Sequence, residues 1–133
     1  MANPPRQKGT KWETALLEPL RRLFGGRVER SSLSGINDYG DFINVPLLVE
    51  AKSTLKPLFQ QWARTCEKKA NKAWVIIWKG DTRTKTGTGP YVLMPMELFE
   101  LLTEYALHDV IEYGRPTQDV FRDDCIAQLG GKR

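Results

Sequence analysis

The apolar run Leu47-Leu48-Val49 ends in Glu50-Ala51-Lys52, and this junction constrains the fold more than any other segment. Residues two apart in a strand share a face, so Glu50 and Lys52 project together while Val49 and Ala51 point the other way. An acid and an amine set against a core are costly unless something binds there. Asp41 sharpens the point. If the chain reverses around Val45-Pro46, a hairpin register pairs Asn44 with Leu47, Ile43 with Leu48, Phe42 with Val49 and Asp41 with Glu50. Carboxylates directly opposite each other repel. A divalent cation turns that repulsion into a binding site, because hard cations take carboxylate oxygens. The segment reads as a metal site with a lysine beside it.

A chain of 133 residues with 41% hydrophobic content suits a single domain, 1–133, with one core. No uninterrupted apolar stretch approaches the roughly 18 residues of a membrane span, and the polar segment Met1–Lys8 offers no apolar secretion signal. Cys66 and Cys125 stand in no metal-ligand spacing, which points to a reducing cytoplasm. The formal charge is +4, and the cations cluster at Arg6-Lys8-Lys11, Arg21-Arg22, Lys68-Lys69-Lys72 and Arg83-Lys85. Local basic clusters favour a polyanion such as nucleic acid, although solvated helix faces share the pattern.

Along the chain, residues 1–9 read as a flexible basic arm and Thr10–Phe24 as a helix, with Leu16, Leu17, Leu20, Leu23 and Phe24 on one side and Pro19 inside. Gly25-Gly26 supplies the stop. A short strand over 27–31, the loop 32–38, and strands near 40–45 and 47–52 follow. Pro57 opens a second helix reaching Asn71, with Leu58, Trp62, Cys66 and Ala70 as core candidates. Ala73–Trp78 is the strongest strand signal. Residues 80–89 read as a mobile basic loop, Tyr91–Met94 as a strand, and Pro95 to about His108 as a third helix. The C-terminal extension, 109–133, contains a short helix between Gln118 and Leu129. The order implies an α/β fold with a central mixed β-sheet flanked by helices.

Each candidate has a structural alternative. Thr10-Lys11-Trp12-Glu13 fits the capping box, in which Glu13 would reach back to Thr10. Asp38, beside Asn37, suits a turn, whereas Asp41 lies within a strand and is the preferred ligand. Glu50 and Lys52 together form a possible ion pair at the strand end. Gln60 or Gln61 points toward the same end of the sheet, or both face solvent. Trp12, Trp62, Trp74 and Trp78 suit a core better than base-stacking platforms, and His108 suits a helix end. A lone histidine excludes an HNH-type nuclease and leaves Ser31, Ser32 and Ser34 without a serine-hydrolase triad.

Glu13 in the first helix, then Gly35-Ile36-Asn37-Asp38-Tyr39-Gly40-Asp41-Phe42, then Val49-Glu50-Ala51-Lys52 resembles the PD-(D/E)xK nuclease superfamily. The nearest branch is that of phage and archaeal Holliday-junction resolvases. The resemblance covers roughly residues 9–80, and Tyr39-Gly40 stands before Asp41 where the name-giving motif has proline. It implies a restriction-endonuclease-like core. Asp41 and Glu50, with Glu13 and the Ala51 carbonyl, would ligate Mg²⁺, or Mn²⁺ in its place, and Asp38 would be an extra acid. Lys52 would orient the attacking water, and hydrolysis would leave a 5′-phosphate. The implied partner is branched double-stranded DNA, cut by a homodimer without a small-molecule cofactor, in the host cytoplasm if phage-encoded. Arg6, Lys8, Ser32, Ser34, Arg83 and Lys85 are the expected phosphate contacts. Competing readings are another repair or restriction-type nuclease of the same superfamily, a non-catalytic DNA-binding module, and an interaction domain whose basic clusters are solvated faces.

Overall fold

The computed structural model describes residues 4–32, 40–81, 87–112 and 117–129. The first helix, α1, runs from Pro4 to Phe24. It therefore begins earlier than Thr10 and takes up most of the expected 1–9 arm. Prolines are tolerated in a first turn, where no intrahelical donor is lost. Leu16 and Leu20, one turn apart, are buried, whereas Leu23 and Phe24 are exposed and do not join the core. Gly25 ends the helix at φ +108°, a backbone region costly for residues with a Cβ, and its N–H donates to the Arg21 carbonyl at 2.8 Å.

Two strands, β1 (Glu29–Arg30) and β2 (Phe42–Ile43), form an antiparallel pair, with Arg30 opposite Phe42. Strand β3 (Leu48–Lys52), helix α2 (Phe59–Ala70), strand β4 (Trp74–Trp78) and strand β5 (Tyr91–Leu93) follow. The second sheet has the order β3-β4-β5. β3 and β4 are parallel in the register Leu48↔Trp74 to Lys52↔Trp78, and β4 and β5 are antiparallel. The architecture is α/β with a mixed sheet.

The expected hairpin between β2 and β3 is replaced by these pairings. Asn44 adopts φ 63° and its Nδ2 donates to the Arg27 carbonyl at 2.7 Å, which turns the chain out of any ladder before Pro46. Proline in addition brings no N–H to pair. The segments still touch: Asp41 N–H donates to the Val49 carbonyl at 3.0 Å, one residue away from the expected Asp41–Glu50 register.

Alternation along β3 and β4 feeds two cores. Val49 packs with Leu16, Leu20, Val28 and Phe42, against which Ala51, Val75 and Ile77 also lie. Leu48 and Ile76 pack with Trp62, Cys66 and Trp74 on the other side. α1 thus covers one face of the sheet and α2 the other. Leu58, a core candidate, is exposed; Trp62 and Cys66 alone are the buried residues of α2. The Trp12 and Trp78 indoles are half-buried, donating to the carbonyls of Ile77 at 3.1 Å and Thr54 at 2.7 Å.

Where length suggests one domain, the chain divides into two compact units, Met1–Pro95 and Met96–Arg133. The second contains α3 (Met96–Glu112) and α4 (Thr117–Leu129). His108 lies inside α3, so it is not at the helix end. Among the described residues, no helix is long and apolar enough to cross a membrane.

Candidate active site

Among the described residues of the first unit, Glu50 is the buried charged one, 8% exposed, in the centre of β3. The strand's pleat sends it toward α2, on the same side as Lys52, and both line a cavity of about 190 Å³ with Gln61, Trp62, Cys66 and Lys69. Gln61 is therefore the member of the Gln60-Gln61 pair that faces this cavity. Lys69, in the last turn of α2, places its Nζ 3.2 Å from Glu50 Oε1. Lys52 Nζ lies 5.6 Å from the centre of the Trp62 ring, a cation–π contact that holds the ammonium at the rim.

Asp41 reaches the same place from the segment before β2. Its Oδ2 accepts the Ala51 N–H at 2.7 Å, across the exposed edge of β3. Gly40 permits this approach: its φ is +107°, and a Cβ there would stand 2.9 Å from the Val49 carbonyl oxygen. The Asp41 and Glu50 carboxyls lie close enough that each influences the ionisation of the other. Burial, then the Asp41 charge, pushes the Glu50 carboxyl up to about 7 against the opposing pull of Lys69. Burial, then the Glu13 charge, also raises Asp41, against the Ala51 N–H and Lys52. Two acids that resist joint ionisation mark a place where a cation would be favoured.

Glu13 does not cap its helix, since Thr10 lies inside α1 and there accepts at its carbonyl from the Thr14 hydroxyl at 2.9 Å. It faces Asp41 closely enough to raise its pKa, yet its Oε2 is held by Arg30 Nη2 at 2.8 Å and Nε at 3.1 Å. Among the described residues, no group of three or more His, Cys, Asp or Glu side chains gathers as a metal cage. The structure brings Asp41 and Glu50 together, with Glu13 beside Asp41.

Of the remaining candidates, Ser32 is exposed. Asp38, Ser34, Arg83 and Lys85 lie outside the described residues, as do the side chains of Arg6 and Lys8. Two members of the Lys68-Lys69-Lys72 cluster pair with acids of the chain itself, Lys69 with Glu50 in the cavity and Lys72 with Glu67 at 3.0 Å on the surface. Arg30 and Lys69 carry no sequence signal for these roles; only the packing of α2 and β1 reveals them. Burial and Glu50 push the Cys66 thiol up to about 11, which leaves it inert. A larger hollow of about 410 Å³, lined by Phe42–Leu48 with Ala70 and Ala73, has no titratable lining residue and lies apart from this chemistry. No family model, curated protein or solved structure matches the chain.

Proposed function

We propose that the chain is a metal-dependent endodeoxyribonuclease of the PD-(D/E)xK type, with a restriction-endonuclease-like core, acting on branched DNA such as Holliday junctions. The observation that carries this reading is the close pairing of half-buried Asp41 with buried Glu50, with Lys52 on the Glu50 face. The donor set fits Mg²⁺, or Mn²⁺ in its place, because such ions take one or two carboxylates and keep several waters. Asp41 and Glu50 would hold the ion, which supplies a water of lowered pKa and polarises the phosphate. Lys52, fixed over Trp62, would orient the attacking water and offset charge on the phosphate. Arg30 fixes Glu13 beside Asp41 and so keeps a third negative charge near the pair.

Arg6, Lys8, Ser32, Ser34, Arg83 and Lys85 are the proposed phosphate contacts, which position a duplex by charge and shape. Symmetric cutting of a junction requires two copies. In the second unit, Phe99, Leu102, Ile126 and Leu129 expose apolar side chains that a homodimer would cover.

A second reading, a non-catalytic DNA-binding module, draws on the internal partners of the acids: Lys69 for Glu50 and the Ala51 N–H for Asp41. Cleavage of a labelled four-way junction, beside matched duplex and flap, decides between them. Paired symmetric nicks in Mg²⁺, lost with EDTA and with Glu50→Ala, are expected. Junction binding without Mg²⁺-dependent cutting of any substrate would leave the binding module.

A further inference from the structure

Lys69 is a site residue that neither the motif nor the expected chemistry requires. It comes from the end of α2, 19 residues beyond Glu50, and its Nζ lies 3.2 Å from Glu50 Oε1. The Lys69 side chain is about three-quarters shielded and Glu50 is buried, so water screens this pair poorly. Around it the charges are matched: Arg30 holds Glu13, Lys69 holds Glu50, and Lys52 offsets Asp41. An incoming divalent ion on Glu50 would meet a cation already on the same carboxylate.

We infer that Lys69 is an internal counter-cation that competes with the metal for Glu50, so that metal entry requires the Lys69 ammonium to move away from the carboxylate. This inference rests on the metal-dependent reading above. Two cations on one carboxylate repel, so each lowers the affinity of the other by the same factor. The lysine chain suits the exchange, since a four-carbon stem can swing its ammonium out of the cavity toward solvent. When no metal is bound, Lys69 also spares the fold an uncompensated buried charge.

The test is Mn²⁺ binding to the full chain without DNA, followed by the loss of the free-ion EPR signal, in wild type, Lys69→Met and Lys69→Arg. Lys69→Met is expected to bind about tenfold more tightly, within the usual range of such couplings, and Lys69→Arg to stay near wild type because it keeps the charge. Acetylation of Lys69, read by peptide mass spectrometry, is expected to rise several-fold when Mg²⁺ is added to wild type. Equal or weaker binding by Lys69→Met, or unchanged acetylation in wild type that binds the ion, overturns the competition and leaves the metal site standing. Absence of Mn²⁺ binding by wild type and Lys69→Met alike sinks both the competition and the metal-dependent reading. A Lys69→Met chain that melts earlier without metal, yet gains more in melting temperature on adding Mn²⁺, agrees with the proposal.

Discussion

The two faces of β3 are built from the same five residues and serve opposite ends. Toward α1, Val49 and Ala51 meet Leu16, Leu20, Val28 and Phe42. Toward α2, the strand begins with Leu48 on Trp62 and Cys66 and then turns to Glu50 and Lys52 beside Lys69. The first face gains stability from close packing, whereas the second surrenders some by burying acids that repel. The comparison teaches that a strand can hold charges rigidly when its opposite face is sealed: Val49 is fully buried one residue before Glu50.

The most severe way to break the charged face is to remove an acid. Asp41→Asn and Glu50→Ala are each expected to lower junction cleavage about 10³-fold or more, with far-ultraviolet circular dichroism unchanged. On the sealed face, Leu20→Ala should cost about 3 kcal/mol, as leucine truncations in a core do. Urea unfolding measures this loss, and cleavage per folded molecule should stay at wild-type level. If Leu20→Ala instead abolished cleavage in fully folded protein, the division of labour between the faces would be wrong.

Acidity sharpens the contrast further. Burial and the Asp41 charge push the Glu50 carboxyl up to about 7 from an ordinary 4.5, so the native state holds more protons between those values. Stability from this group is therefore fully present below about pH 4.5 and is lost as pH rises through about 7, and the raised Asp41 acts in the same sense. Thermal melting without metal should show that decline; Glu50→Gln should flatten it, and Mg²⁺ at pH 8 should restore the lost degrees. The smallest effect belongs to the surface just beyond the end of α2. Lys72→Ala removes a half-exposed pair with Glu67 and should change stability by about 0.5 kcal/mol or less.

Much of this site is legible in the residues because strand geometry is strict. A period of two puts Glu50 and Lys52 on one side whatever the neighbours are, and the structure places both on the α2 cavity. Helix phase is harder to read: nothing in Lys68-Lys69-Lys72 says which amine turns inward, and Lys69 does so because Trp62 and Cys66 anchor the face before it. Strand pairing is harder still. Proximity in sequence favours β2 as the partner of β3, yet the partner is β4, reached through α2. Asn44 in a left-handed conformation decides that outcome, and such a turn leaves only a faint mark in composition. The beginning of α1 is missed for a related reason, since Pro4-Pro5 looks like a coil until a helix is seen to start there.

Gly40 carries no functional group, yet it governs mutational tolerance at this site. Any side chain there would have to displace the Val49 carbonyl or the Leu48 methyl-bearing carbon, and so shift the backbone that delivers Asp41. A saturation scan scored by cleavage should therefore show position 40 to be about as intolerant as position 41, and the footprint of selection on this chain would include a residue that never touches substrate.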